Sequence, residues 1–111
     1  MIANILTVDL EEWFHLDEGL IPPGEWDRLP GRVDGNARSL LDLLDACGAR
    51  ATFFALGWVA ARHQGLIREI HHRGHELAVH GYLHRAVAAM SEEEFRSDLR
   101  AARQVVEAST G

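Results

Sequence analysis

Three short apolar runs alternate with three stretches of helical spacing, and that alternation limits the folds open to this chain. Residues 2–8 are apolar except for Asn4 and Thr7. Such a run predicts a strand buried on both faces. Val33, Ala37, Leu40, Leu41 and Leu44 recur at helical spacing, with Asp34 or Asn36 as the expected N-cap and Gly48 just past the last turn. Residues 51–56 form a second strand around Thr52-Phe53-Phe54. Residues 58–73 form a second helix, with a break expected near Gly65 and a stop at Gly74. Residues 76–79 form a third strand, and Ser91 opens a third helix. The order strand, helix, strand, helix, strand, helix predicts an α/β fold with a parallel sheet and right-handed crossovers.

Two local signals sharpen this reading. Ser91-Glu92-Glu93-Glu94 has the form of a capping box, with three acids placed well against the positive end of the helix dipole. Phe95, Leu99, Ala102 and Val106 then predict one apolar stripe facing the core. Residues 13–32 carry three prolines, three glycines and two tryptophans. They predict a long loop with one helical turn, and loops of that length in compact domains are usually functional.

At 111 residues the chain is at most one small domain. Hydrophobic residues at 47% and charged residues at 25% are the proportions of a globular protein. A net charge of −6 excludes the basic face that nucleic acid or an anionic membrane surface requires. No apolar run approaches the roughly 20 residues of a membrane span. Met1 leads straight into Ile2-Ala3-Asn4 with no secretory leader, which predicts a cytoplasmic location. Cys47 is the lone cysteine and is expected to be a buried helix-end thiol.

Ligands of parallel α/β folds gather at the carboxyl ends of the strands. Asp9 and Glu11 lie at the end of the first strand, two apart, and share a face. His80 and His84 lie just past the third strand, four apart, so one helical turn brings both rings to one ion. Imidazole nitrogen and carboxylate oxygen are ligand types for Zn²⁺ or a similar divalent ion. Gly81 stands where the zinc-protease motif needs a glutamate base, so a base must come from elsewhere, and Asp9 is the candidate. Spacing alone does not decide the matter, because His71 and His75 are also four apart. His71 and His72 are expected at an exposed helix end, and His15 and His63 are expected to face solvent.

Thr7-Val8-Asp9-Leu10-Glu11-Glu12-Trp13-Phe14-His15, Ala51-Thr52-Phe53-Phe54, Gly74-His75-Glu76-Leu77-Ala78 and His80-Gly81-Tyr82-Leu83-His84 together resemble the polysaccharide deacetylases with a NodB-homology domain. The opening Asp9-Leu10-Glu11-Glu12-Trp13-Phe14 is similar to the exosortase-associated exopolysaccharide deacetylase subgroup. The resemblance implies a distorted (β/α) barrel that removes acetyl groups from an N-acetylated polysaccharide with the help of a divalent metal. It makes Asp9 the catalytic base, and Glu11, His80 and His84 the metal ligands, with Glu12 held in reserve for Glu11. Zinc is the expected ion, with cobalt, nickel or iron also compatible. Val79 and Leu83 stand where small hydroxyl residues are common, which is expected to loosen support for the site.

The family's later motifs supply an arginine that orients the base, substrate-groove residues and a histidine acting as general acid. Residues 1–111 contain none of these, so they are expected to form a partial domain lacking its C-terminal half, inactive alone. An exposed edge on the third strand is expected to promote self-association. Two other readings remain open: a hydrolase of small cyclic amides on the same fold, and a non-catalytic metal-binding fragment.

Overall fold

The structure, a computed structural model, describes residues 1–16 and 20–111; Asp17, Glu18 and Gly19, part of the expected loop, lie outside the described residues. Its strands are β1 (Thr7–Leu10), β2 (Thr52–Ala55) and β3 (Glu76–Val79), and its α-helices are α1 (Val33–Ala46), α2 (Gly57–Arg62), α3 (Gln64–His72) and α4 (Glu92–Thr110). Two short 3₁₀ turns, Pro23–Arg28 and Val87–Ala89, lie in the connections. All strand pairing is parallel, in the order β1-β2-β3, with Asp9 level with Phe54 and Phe54 level with Ala78. The α/β class and the parallel sheet are therefore as the alternation predicts.

The sheet is two-faced rather than buried on both sides. Val8, Leu10, Phe53, Ala55, Leu77 and Val79 point toward the helices by the two-residue period, and Leu10, Phe53 and Ala55 are fully buried there. Thr7, Asp9 and Glu76 point the other way and are exposed. The expectation of a doubly buried first strand is corrected, and so is its position. Residues 1–6 form no strand, because the ladder begins where Thr7 meets Thr52, and Ile2 and Ile5 remain exposed.

Under the covered face, Leu41, Leu56, Val59, Leu66, Ile67 and Ile70 are sealed with Phe53. Complete burial of one such side chain favours folding by about 1.5–3 kcal/mol, far more than any surface ion pair here. α4 packs on α2, α3 and β3. Only the second half of its apolar stripe is core: Ala102 and Val106 are buried, while Phe95 is half-buried and Leu99 exposed. The 19-residue helix outruns strands of four residues, so its first turns project past the sheet's carboxyl edge.

Local stop and start signals act as expected at three points. Gly48, at φ +63°, closes α1 with Ala49 N–H on the Leu44 carbonyl and its own N–H on Asp45. Gly74, at φ +81°, closes α3 in the same way through Ile70 and His71. Ser91 and Glu94 make both bonds of the capping box. The cap of α1 differs from expectation. Arg32 occupies the cap position without a side-chain bond, Asp34 lies in the first turn paired with Arg38, and the donors are satisfied by Glu12 instead. The second helix divides at His63, not at Gly65. His63 takes φ −124° and ψ 47° and closes α2 while opening α3, whereas Gly65 falls in the first turn, where its amide has no helical partner to lose. Cys47 is exposed, since the residue after the last turn of α1 faces outward.

Candidate metal centre

β1 delivers the first half of the site. Leu10 is buried against the helices, so its neighbours Asp9 and Glu11 both take the open face. Past Glu11 the chain turns inward. Glu12 is buried, and its carboxylate accepts the backbone N–H of Arg32 at 2.9 Å and of Val33 at 3.1 Å. Those are orphan donors at the positive end of α1, where a carboxylate is best placed. Of the two adjacent acids, only Glu11 faces the histidines.

β3 delivers the second half. The N–H of His80 bonds to the Ala55 carbonyl at 3.0 Å, so the sheet itself fixes where that residue leaves β3. The following loop is not the helical turn that the spacing predicts. Gly81 (φ +69°) and His84 (φ +57°) are both left-handed, and these two reversals fold the loop back on itself. A non-glycine residue persists there only when its surroundings impose it. The carbonyls of Gly81 and Tyr82 accept the N–H groups of Gly57 (2.8 Å) and Trp58 (3.1 Å), donors at the start of α2 that no side chain caps. Tyr82 N–H donates to Asp98 of α4 at 3.0 Å. Gly57 admits no larger residue, because a Cβ there would stand 2.4 Å from the Tyr82 ring and 3.1 Å from the Ala102 backbone.

The outcome is a three-sided cluster. Nε2 of His80 and Nε2 of His84 each lie 3.1 Å from Glu11 Oε2, and the three ligand atoms lie within 4.8 Å of one another. Ligand atoms roughly 2.0–2.2 Å from a tetrahedral ion stand roughly 3.3–3.6 Å apart, close to this spacing. Glu11 Oε2 is buried and has no hydrogen-bond partner among the described residues. A buried carboxylate oxygen whose nearest polar atoms are two imidazole nitrogens is well satisfied by a cation shared among the three, so the residues fit a divalent ion. Asp9 is not one of the three. It stands exposed two residues back on the same face of β1.

The other histidines divide by environment. His71 and His72 are exposed at the end of α3, as expected. His63 is half-buried, with Nδ1 3.9 Å from Asp34. His15, expected at the surface, is buried among Phe14, Trp26 and Trp58, with ring centroids 4.4 Å from Trp26 and 4.9 Å from Trp58. Its Nδ1 accepts the Glu12 N–H, which leaves the ring proton on Nε2. Burial first, then the charges of His84 and Arg62, hold its pKa down at about 4, so it is neutral at pH 7. The expectation failed because the aromatic cover comes from a distant loop and from α2. Asp98 and the capping role of Glu12 also escaped the sequence reading, since both act on backbone groups far along the chain.

The sequence model of the family described as polysaccharide deacetylase matches residues 25–111. The chain belongs to this family. The match leaves out Asp9 and Glu11, but a solved Mycobacterium smegmatis structure assigned to the polysaccharide deacetylases aligns over 96% of the chain, with 30% identity and a TM-score of 0.77. A peptidoglycan-N-acetylglucosamine deacetylase of Bacillus cereus is 33% identical over 60 residues. A pseudoenzyme of carbohydrate esterase family 4 from Bacillus anthracis shares the fold, with a TM-score of 0.73 at 21% identity. The chain spans 22% of the Bacillus cereus protein, 39% of the Mycobacterium structure and 31% of the pseudoenzyme, while covering 54%, 96% and 96% of itself. These deacetylases have a (β/α) barrel fold, and the three-stranded sheet with its helices corresponds to part of it. The family generally uses a divalent metal. Among the described residues no helix is long and apolar enough to cross a membrane.

Proposed function

We propose that residues 1–111 form the first part of a carbohydrate N-deacetylase barrel, with Glu11, His80 and His84 as metal ligands and Asp9 as the catalytic base. The observation that carries this reading is the buried, unpartnered Glu11 oxygen facing both histidine Nε2 atoms at 3.1 Å. A bound divalent ion supplies positive charge that polarises an acetamide carbonyl and acidifies the attacking water. Asp9, on the same face as Glu11, accepts the proton of that water as its oxygen bonds to the acetamide carbon, and the C–N bond breaks afterwards. The leaving amine then needs a proton. His15, the buried histidine at this rim, is neutral with its pKa at about 4, so it has no acidic proton to give at pH 7. In this reading the donor comes from outside residues 1–111.

The substrate we infer is an N-acetylated polysaccharide, in line with the deacetylase of Bacillus cereus, and the Asp9-Leu10-Glu11-Glu12-Trp13-Phe14 opening favours an exopolysaccharide. In the polypeptide that carries the whole barrel, acetate release from an N-acetylglucosamine oligomer should vanish in Asp9→Asn while zinc stays bound. Turnover that survives the change removes Asp9 as base, and ring opening of a small ureide without acetate release would assign a cyclic-amide hydrolase instead. The pseudoenzyme among the fold neighbours supports a second reading, a metal-binding module without turnover. That reading requires zinc binding with no acetate release from the whole barrel.

A further inference from the structure

The two metal-site histidines are held in unlike ways. His80 is the last residue tied to the sheet, through its N–H to Ala55, and its place follows from β2 and β3. His84 lies four residues on, past Gly81 at φ +69°, and is itself left-handed at φ +57°. Nothing in its own backbone preference keeps it there, so the middle of the loop must be fixed from outside. Among the described residues, two of the three outside bonds run from the loop's carbonyls to the first amides of α2. The third is an N–H bond to a side chain, from Tyr82 to Asp98 Oδ2.

We propose that Asp98 is a positioning residue for the metal site: its carboxylate clamps the loop between His80 and His84 onto α4 and thereby sets His84 against Glu11. The inference rests on the metal-site reading above. Four observations support it. The acceptor is a carboxylate, and charge-assisted hydrogen bonds are roughly twice as strong as neutral ones. Asp98 is half-buried and forms no ion pair within 4.0 Å among the described residues, so the Tyr82 amide has no cation as competitor for Oδ2. The clamp is also tight against the chain it holds. A Cβ on Gly81 would stand 3.1 Å from the same Oδ2, so a hydrogen at that position lets the carboxylate approach the backbone. Asp98 further lines, with His80 and His84, a groove of about 740 Å³ whose other walls include Phe95 and Leu99. That places the clamp beside the ligands rather than in the distant core.

The test measures zinc dissociation constants by chelator competition for the wild-type chain, D98A, D98N and D98S, alongside thermal melting of each metal-free protein. D98A should bind zinc about 10- to 100-fold more weakly, the range for partners that orient metal ligands, with a metal-free midpoint within a few degrees of wild type. D98N keeps an oxygen that can accept the Tyr82 N–H and should stay within about threefold of wild type. If D98A does not fold, D98S, whose hydroxyl is shorter, should fold and show the same loss. Wild-type affinity in D98A or D98S overturns the proposal, as does D98N binding as weakly as D98A, which would make the effect one of charge alone. Failure of both D98A and D98S to fold also overturns it, because the bond would then serve the fold at large. Wild-type protein that binds no zinc overturns the metal-site reading itself, a result distinct from unequal variants.

Discussion

The two rims of the sheet carry histidine pairs of identical spacing and opposite character. At the carboxyl rim, His80 and His84 converge, with ring centroids 5.1 Å apart and both Nε2 atoms on Glu11. At the amino rim, His71 is exposed on α3 while His75 is buried, its Nδ1 accepting the Ala51 N–H at 3.2 Å and its ring against Phe53. The amino rim is otherwise closed by structural bonds: Thr52 to Glu76, Arg50 to the Arg73 carbonyl, and Arg73 to Asp42, Asp45 and Glu69. Among the described residues, the carboxyl rim leaves a buried carboxylate oxygen without a hydrogen bond, where the amino rim leaves only the second ring nitrogen of His75. Spacing therefore gives a pair its reach, and the strand end decides whether the pair meets a partner or a neighbour's backbone.

Ligand substitutions should separate the rims most sharply. Orienting partners alone are worth 10- to 100-fold in metal affinity, so Glu11→Ala, His80→Ala or His84→Ala should each weaken zinc binding by at least about a hundredfold. His71→Ala and His72→Ala should leave it unchanged in the same titration. Equal losses at the two rims would erase the distinction. His75→Ala tests the other half. It empties a buried site and leaves the Ala51 N–H unpaired, so denaturant unfolding should show a loss of about 2–3 kcal/mol with zinc affinity intact.

Much of this fold was legible because its signals are local. The Ser91 capping box, the glycines at 48 and 74, and the apolar runs of β2 and β3 act within a few residues of where they stand. The failures are long-range. β1 could not be placed from its own run, since the pairing with Thr52 sets where the ladder starts. The cap of α1 comes from Glu12, about twenty residues upstream, and no pattern near Asp34 announces it. The four ligand and base candidates were readable from the strand-end rule, but the left-handed loop that joins the histidines was not. A spacing of four suits a helical turn and a doubly reversed loop equally well.

A smaller effect should follow pH. His15 has a folded pKa of about 4 against 6.5 unfolded, so the unfolded chain binds the extra proton between those values. Stability is then full above pH 6.5 and falls as the pH drops toward 4. The loss should be about 2 kcal/mol, below the full 1.36 kcal/mol per unit because solvent screens the shares from His84 and Arg62. His75, lowered mainly by burial, acts with the same sign. Urea unfolding at pH 7 and pH 4 should show the difference, with a little over half of it already present at pH 5, and His15→Gln should shrink it. Smallest of all, Glu12→Gln should cost about 1 kcal/mol of stability through the weakened α1 cap and leave zinc affinity unaltered. A large affinity loss there would shift the ligand role from Glu11 to its neighbour.

The most direct measurement is an anomalous-diffraction map of a zinc-loaded crystal of this chain. One peak is expected at roughly 2.0–2.2 Å from Glu11 Oε2 and from Nε2 of both His80 and His84, with Glu12 still bound to the amides of Arg32 and Val33. A peak coordinated by Glu12, a peak at His71, His72 or His63 instead, or no peak at saturating zinc would contradict this assignment.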